Sequence, residues 1–326
     1  MKPPYIFAKS ALLLLVLGLA TAPTAFAAWP ADKPIKIVVP QSAGGTNDTV
    51  ARIVSVELTK ALKQSVIVDN RPGASGAIGM QAVALSPPDG YTLALASDSA
   101  ALLDVIRPTL DWKFKSDLRA VGMIGDQPIT VAVSARSPYK SFGDIVKAAR
   151  QSPDRIPFGT SGVGTSQHLV GEWLAKLANI QLIHIPYKGG GQATKDLLGG
   201  QVPVAVLGLA PMLAQEKAGG VRIVAVTSPQ RNAAVPEVPT LKELGYPQIA
   251  LAQWTGLVVP AKTPAAVVTR ISEELMKILA MPEVRKRLVD AGVDPRPMGS
   301  AQFDTFLADY IEHWERVIPT LNLILD

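Results

Sequence analysis

The sequence of 326 residues contains no cysteine. This absence excludes disulfide bonds, thiolate metal sites and a lipid attached through an N-terminal cysteine. Histidine is nearly as scarce, because His168, His184 and His313 are the only three, and no two of them lie three to five residues apart. The sequence therefore predicts no metal site of the His/Cys type.

Nucleotide-binding motifs are also missing from the glycine-rich segments. None of these segments contains the Gly-Lys-Ser/Thr of a phosphate-binding P-loop. Gly162-x-Gly164 is followed by Gln167 at the position where a dinucleotide fingerprint has its third glycine. We therefore expect no cofactor.

The charge balance is mild. The sequence has 32 Lys and Arg against 27 Asp and Glu, an excess of five that falls to three without Lys2 and Lys9. It has no basic block interleaved with aromatic residues, so we expect no nucleic-acid partner. A small positive excess is compatible with weak steering of small anions.

A strongly apolar run occurs at residues 11–20. Lys2 and Lys9 precede it and Ala25-Phe26-Ala27 follow it, which is the pattern of a secretory signal peptide over residues 1–27. The alternative is a membrane anchor, but the run is about half of the roughly 20 residues that span a bilayer. We expect a cleaved, soluble protein in the periplasm.

The residues after this segment predict an α/β protein of two ordinary domains or one large domain. Ile35–Val39 is an apolar, β-branched run of strand length, and a loop with two glycines and an amphipathic helix follow it. Asn47 or Asp48 is the expected cap of that helix. Further strands at residues 66–69 and 91–96, with a helix between them, predict parallel βαβ units.

Two glycine loops are candidate anion sites. Gly44 and Gly45 precede the first helix, and the segment TSGVGTS at residues 160–166 precedes a second helix that Thr165 or Ser166 is expected to cap. A helix N-terminus offers unpaired N–H groups and a favourable dipole to an anion. The alternative for each loop is an ordinary turn between a strand and a helix.

A third loop at residues 184–191 contains Lys188. Its ammonium is expected either to contact a ligand carboxylate or to form a salt bridge at the rim of the site while its stem packs on Tyr187.

Several ordered motifs resemble the Bug (TctC-like) family, the periplasmic solute-binding proteins of tripartite tricarboxylate transporters. They extend over essentially the whole chain after the signal peptide. The motifs are WPADKPIKIVVPQSAGGTNDTVAR (29–52), VIVDNRPGASGAIG (66–79), SPPDGYTL (86–93), PFGTSGVGTSQHL (157–169), HIPYKGGGQATKDLLGGQV (184–202), VRIVAVTSPQR (221–231), VPTLKELGYP (238–247) and WTGLVVPAKTP (254–264).

The resemblance implies a two-lobed periplasmic binding protein of type II, in which each lobe is a mainly parallel sheet flanked by helices. Residues 28–126 and 254–326 would form the first lobe and residues 127–253 the second, with crossings near residues 127–133 and 254–259. A small carboxylated ligand would bind between the lobes and pass to membrane permease subunits. We expect a monomer.

The motifs and the glycine loops together give the candidate ligand-binding residues. They are Gln41, Ser42, Gly44, Gly45, Thr46, Asp48, Ser97, Asp98, Thr160, Ser161, Gly162, Gly164, Thr165, Ser166, His168, Tyr187, Lys188 and Gly189.

Two other functions are compatible with parts of the sequence. A periplasmic sensor that signals to a membrane kinase would use the same cleft with a different docking partner. A secreted hydrolase would need a nucleophile and a base, and Ser166 with His168 is the nearest approach to such a pair. Gly159-Thr-Ser-Gly is one residue short of a nucleophile elbow, and we expect His168 to bond the loop backbone instead.

Asp98 departs from the family pattern, because members commonly carry small uncharged residues after the third strand. If Asp98 faces the cleft, its charge favours an ammonium or hydroxyl donor over a second carboxylate. The alternative is that Asp98 or Ser99 caps a helix that begins near Ala100.

The signal-peptide pattern predicts cleavage after Ala27, because Ala25-Phe26-Ala27 has the small-residue spacing of an exported precursor. N-terminal sequencing of periplasmic protein should therefore begin at Ala28. A soluble periplasmic pool that retains Met1 would contradict this expectation.

Overall fold

Strands and helices alternate along the chain in a computed structural model that describes residues 29–31, 33–151 and 156–321. The chain divides into two units, Met1–Asp32 and Lys33–Asp326, and the elements below belong to the second. The predicted signal peptide lies outside the described residues. Within those residues, no helix combines the length and the apolar character that crossing a membrane requires.

The described residues form ten strands, twelve α-helices and two short 3₁₀ helices, Ala74–Gly76 and Ile318–Leu321. The strands are β1 (Ile35–Val39), β2 (Val66–Asn70), β3 (Thr92–Ser97), β4 (Leu118–Ser134), β5 (Ile156–Thr160), β6 (Leu182–Pro186), β7 (Val204–Gly208), β8 (Val221–Val226), β9 (Ala252–Pro260) and β10 (Asp294–Gly299). The helices are α1 (Thr46–Leu62), α2 (Ala77–Ala84), α3 (Asp98–Ala101), α4 (Leu103–Ile106), α5 (Phe114–Asp117), α6 (Phe142–Gln151), α7 (Ser166–Ala178), α8 (Gly190–Leu198), α9 (Leu209–Lys217), α10 (Ala265–Ala280), α11 (Pro282–Asp290) and α12 (Ser300–Val317).

The strands form one continuous mixed sheet with the order β2-β1-β3-β9-β4-β7-β5-β6, and β8 and β10 pair with β4 outside this path. β1 is parallel to β2 and β3, and β5 is parallel to β6 and β7. β9 and β4 run antiparallel to each other and to the parallel strands beside them. The predicted α/β fold with parallel βαβ units is therefore confirmed.

Strand β4 connects two groups of strands. Residues 118–128 of β4 pair with β9, whereas residues 129–133 pair with β7. We call β1, β2, β3, β9, β10 and residues 118–128 of β4 the first sheet segment. The second sheet segment is β5, β6, β7, β8 and residues 129–134 of β4. The change of partner occurs at Pro128 and falls within the predicted crossing at residues 127–133.

Apolar side chains cover both faces of the second sheet segment. Along β7, Val204 and Val206 pack into the cluster that includes α6 and α7, and Ala205 and Leu207 pack into the cluster that includes α8 and α9. This alternation follows from the two-residue period of a strand. A strand buried on both faces reads as a continuous apolar run, which is why this strand could be predicted from the sequence.

The start of α1 differs from the prediction. The helix begins at Thr46 with Gly45 as its N-cap, so neither Asn47 nor Asp48 is the cap. Asp48 lies in the first turn instead, where its Oδ2 accepts the Gly44 N–H at 3.1 Å. Burial opposes ionisation of Asp48, but hydrogen bonds from Arg52 and Gly44 outweigh it and lower the pKa.

Two further elements are short and irregular. Residues 241–244 form a turn in which the Leu244 N–H bonds the Thr240 carbonyl at 3.1 Å. β10 was not predicted, because Pro295 and Pro297 make its sequence unlike a strand. It is accommodated by pairing only with β4, with a register shift between Pro295 and Met298.

The close packing of β4, β9 and α12 gives a stability prediction. A Cβ on Gly256 of β9 would come within 2.6 Å of the Phe303 ring and 2.8 Å of the Gly122 carbonyl oxygen. Gly256→Ala should therefore lower the free energy of unfolding by about 1–3 kcal/mol in urea titrations. Gly143→Ala is the control, because its Cβ has only Ser141 within 4 Å and the residue lies in α6. A Gly256→Ala variant as stable as this control would contradict the packing.

Candidate functional site

A small buried cavity lies at the end of β3, where β4 and β9 pass between the two sheet segments. Its free volume is about 20 Å³, enough for about one water molecule. Residues of both segments line it: Gln41, Thr46, Asn47, Ser97, Asp98, Gln127, Ser161, Gln167, Gly190, Gly208, Pro211, Gln253, Trp254 and Thr255.

Helix N-termini from both segments reach this cavity. Thr46 and Asn47 belong to the first turn of α1, and Gly190 is the first residue of α8. The first-turn N–H groups of a helix have no intrahelical acceptor, and the helix dipole adds a partial positive charge there. Two such ends, one from each segment, make the cavity favourable for an anion.

Three glutamines line the cavity beside these helix ends. Gln127 Oε1 accepts the Ala210 N–H at the start of α9 at 2.9 Å. Gln167 Nε2 donates to Gln253 Oε1 at 3.3 Å, and Gln253 Nε2 donates to Ser166 Oγ at 3.0 Å. The glutamines therefore join β4 and β9 to the helices of the second segment. A Cβ at Gly208 would come within 2.5 Å of Gln127 Nε2, so only glycine leaves room for this approach.

Asp98 is the acidic residue of the cavity lining, and it is 1% exposed. Burial raises the pKa of its carboxyl group to about 6, although hydrogen bonds involving Ser166, Ser99 and Gln253 partly offset the effect. Helix α3 begins at Asp98 itself with Ser97 as N-cap, so neither Asp98 nor Ser99 caps it. Ser99 Oγ instead accepts the Ser166 N–H at 3.2 Å.

Four buried polar atoms of the lining have no hydrogen-bond partner within the described part of the chain. They are Asn47 Nδ2, Asp98 Oδ1, Trp254 Nε1 and Thr255 Oγ1. A buried polar atom without a partner costs about 1–3 kcal/mol, so four around one cavity indicate a place where a ligand or water completes the bonding.

The first and third glycine loops meet beside the cavity. The Ser42 N–H donates to the Lys188 carbonyl oxygen at 3.2 Å. A Cβ on Gly191 would collide with the Ala43 carbonyl oxygen, whereas a Cβ on Gly190 has nothing closer than 3.8 Å. These loops come from different segments, so their contact is possible only while the segments are close together.

The second glycine loop directs most of its polar groups inward. Thr165 caps α7 by accepting the His168 N–H at 3.3 Å, as predicted. The Gly162 N–H bonds Thr160 Oγ1 at 3.2 Å, and the Gly164 N–H bonds His168 Nδ1 at 3.1 Å. These two amide N–H groups bond acceptors within the protein. The expectation that they point to a ligand is therefore wrong.

Ser166 and His168 do not form a nucleophile and base. Ser166 Oγ contacts Gln253 Nε2 and Ser99 Oγ, while His168 Nδ1 is occupied by the Gly164 N–H. The ring of His168 stacks on His184, with centroids 3.8 Å apart. Burial, with a contribution from His168, lowers the pKa of His184 to about 3 and keeps it neutral.

A larger groove of about 480 Å³ lies on the surface along α6, with Phe142, Lys147, Arg150 and Tyr246 among its lining residues. None of the buried unpartnered side-chain atoms of the described residues lies in it. The small cavity is therefore the better candidate site despite its size. Among the described residues, no group of three or more His, Cys, Asp and Glu could hold a metal ion.

Comparison with known proteins identifies the family. A model described as the tripartite tricarboxylate transporter family receptor, TctC, matches residues 50–323. The chain belongs to the TctC receptor family. This confirms the resemblance to the Bug (TctC-like) proteins. The protein BugT of Bordetella pertussis is 32% identical over 314 residues, which are 94% of this chain and 96% of BugT.

Two solved structures from Rhodopseudomonas palustris have the same fold. An R. palustris protein solved with adipate, Rpa4515, is 28% identical with a TM-score of 0.86, and the match covers 90% of this chain and 98% of that one. MatC of Rhodopseudomonas palustris with bound malate is 27% identical with a TM-score of 0.82, covering 88% and 99%.

Five of the predicted TctC site residues line the cavity: Gln41, Thr46, Ser97, Asp98 and Ser161. The other predicted residues lie outside the lining: Ser42, Gly44, Gly45, Asp48, Thr160, Gly162, Gly164, Thr165, Ser166, His168, Tyr187, Lys188 and Gly189. Most of them shape the loops around it. Tyr187 donates to Asp196 Oδ2 at 2.7 Å, and Lys188 is exposed.

Sequence reasoning missed Asn47, Gln167 and, most importantly, the residues of the crossing strands. Gln127, Gln253 and Thr255 are polar residues at buried positions of largely buried strands, within or beside the predicted crossings. A polar residue in a buried strand is a signal of a site, and it was available in the sequence.

The burial of Asp98 gives a pH-dependent stability prediction. The pKa of its carboxyl group is about 6 in the folded chain against an ordinary 3.8, so the folded state binds the proton more tightly than the unfolded state. Stability contributed by Asp98 therefore falls as the pH rises from about 4 to about 6. Asp98→Asn should raise the free energy of unfolding by up to about 3 kcal/mol near pH 7.5, and this gain should vanish below about pH 3.5.

Urea titrations at the two pH values measure this difference. The control is Asp309→Asn, because Asp309 is exposed on α12 and its removal changes the net charge equally. If Asp98→Asn raises the free energy of unfolding equally at both pH values, or lowers it near pH 7.5, the raised pKa of Asp98 is contradicted.

Proposed function

We propose that this protein is an extracytoplasmic solute-binding protein, cleaved on export, that captures a small carboxylate in the periplasm and delivers it to a tripartite tricarboxylate-type permease. The observation that carries the proposal is the convergence of helix N-termini from both sheet segments, α1 and α8, on one buried polar cavity. The relatives solved with adipate and with malate support the ligand class.

A carboxylate suits this cavity because several of the groups available to it are donors. The first turns of α1 and α8 supply N–H groups, and Asn47 and Trp254 have unpartnered buried N–H groups. Backbone amides do not titrate, so such a site binds an anion over the whole physiological pH range. Tightly held donors also orient the ligand between the segments.

The two segments correspond, in this proposal, to the lobes of a binding protein. The first lobe is residues 28–126 and 254–326, the second is residues 127–253, and β4 and β9 carry the chain between them. Opening at these crossings would admit the ligand, and the contact of Ser42 with Lys188 would form on closure.

A binding function is favoured over hydrolysis. Ser166 Oγ bonds Gln253 and Ser99, and His168 Nδ1 accepts a backbone N–H. His168 Nδ1 is therefore not positioned to take a proton from Ser166. The site therefore has donors for holding an anion and lacks an activated nucleophile among the described residues.

Two glycines at opposite ends of α8 test closure. Gly191→Ala should hold the loops apart, because its Cβ would collide with the Ala43 carbonyl oxygen, and we expect affinity to fall about tenfold or more. Gly199→Ala should bind nearly as the wild type, because Gly199 ends α8 outside the cavity lining and its Cβ meets nothing closer than the Lys195 carbonyl oxygen at 3.4 Å. Calorimetry with the tightest binder from a panel of small carboxylates, dicarboxylates and amino carboxylates measures both affinities.

Small-angle scattering provides the second readout for these variants. The radius of gyration should decrease with ligand in the wild type and in Gly199→Ala, but less in Gly191→Ala. Equal compaction and equal affinity in the two variants would exclude closure through these loops. A wild type that binds no member of the panel would overturn the proposed function.

A further inference from the structure

We propose that the ligand carries an ammonium group that donates a hydrogen bond to Asp98 Oδ1, so that this receptor selects amino carboxylates over dicarboxylates. This inference rests on the proposed function and specifies its ligand class. It comes from the burial of Asp98, the unpartnered state of one of its oxygens and the distribution of donors around the cavity.

The buried carboxylate of Asp98 has no ion-pair partner among the described residues. Its side chain is 1% exposed and lines the cavity, and Oδ1 has no partner among the described residues. None of the ion pairs in the described part of the chain involves Asp98. A buried carboxylate without a cation is costly, and the cost is relieved if a cation arrives with the ligand.

The described side chains around Asp98 do not neutralise its charge, so a cation can come only from a ligand. Ser99, Ser166 and Gln253 are neutral donors that partly stabilise the carboxylate. Tyr310 of α12 also faces it, and burial together with Asp98 raises the pKa of that phenol, which therefore stays neutral. These groups are dipoles, and none of them supplies a positive charge.

The remaining unpartnered groups define the other end of the ligand. Asn47 Nδ2 and Trp254 Nε1 can only donate, and the starts of α1 and α8 add backbone donors. They match a carboxylate. A second carboxylate beside Asp98 would place two like charges together in a buried site, whereas an ammonium would neutralise the charge. The cavity therefore matches a zwitterion.

A hydroxyl group is the competing donor for Asp98. It would satisfy Oδ1 as a hydrogen-bond donor but would leave the buried negative charge unneutralised. Hydrogen bonds in which both partners are charged are stronger than those in which one is neutral. We therefore expect ammonium to be preferred to hydroxyl on the same carbon chain.

Ligands of equal length separate these cases. Adipate, 6-aminohexanoate, 6-hydroxyhexanoate, hexanoate and norleucine share six carbons and differ in the group that would meet Asp98, with norleucine carrying its ammonium next to the carboxylate. Succinate and 4-aminobutanoate repeat the comparison with four carbons. Calorimetry near pH 7.5 should show at least one amino carboxylate binding about tenfold or more tightly than the dicarboxylate of its length.

Asp98→Asn is the decisive variant, because it keeps the size and an acceptor oxygen but removes the charge. The preference for ammonium should be lost, through weaker binding of the amino carboxylate, stronger binding of the dicarboxylate, or both. Asp309→Asn removes an exposed charge from α12 and should keep the preference of the wild type. Thermal unfolding of each variant near pH 7.5 verifies that the compared proteins are folded.

The outcomes separate this inference from the function on which it rests. A wild type that prefers dicarboxylates or the hydroxy acid overturns the ammonium assignment and leaves the carboxylate receptor intact. A preference for amino carboxylates that survives in Asp98→Asn overturns the role of Asp98. If the wild type binds none of these compounds, both the inference and the proposed function fail.

Discussion

The pairing of β4 with two different sets of strands is the constraint on which the rest of the structure depends. Residues 118–128 of this strand hydrogen-bond to β9, and residues 129–133 hydrogen-bond to β7. The two sheet segments therefore share strand β4. Helix ends from both segments are directed to the region where the pairing partner of β4 changes from β9 to β7. The cavity lies at this junction and not within either segment.

Polar groups at such a junction are costly unless they are paired, and the structure satisfies most of them. Glutamines at 127, 167 and 253 bond helix ends, one another and Ser166, which orients the loops of both segments around the cavity. Four polar atoms left without partners among the described residues, including Asp98 Oδ1 and Trp254 Nε1, lie on the cavity lining. Stability is thereby reduced where binding can restore it, a pattern common at functional sites.

The sequence predicted those features that depend on local pattern. The apolar run of Ile35–Val39, the cap at Thr165 and the glycine loops all appear where expected, because strand burial, capping and tight turns are decided within a few residues. The 17-residue length of β4 could not be predicted, because its pairing depends on partners more than 70 residues away. β10 was missed for the same reason, since tertiary pairing overrides its two prolines.

The candidate site was predicted only in part. Asp98 and Thr46 were found because they adjoin a recognisable strand end or helix start, whereas Gln253 and Trp254 become neighbours of the glycine loops only through the fold. The second glycine loop was expected to offer its amides to a ligand, but local acceptors such as His168 Nδ1 occupy them. Glycine-loop sequences therefore indicate the turn but do not reveal which amides it leaves available.

A crystal structure of the protein with its tightest-binding carboxylate is the most direct test of the central claim. The account predicts one ligand in the cavity, with its carboxylate oxygens within hydrogen-bond distance of first-turn N–H groups of both α1 and α8. A ligand bound to one segment alone, or in the surface groove along α6, would contradict it.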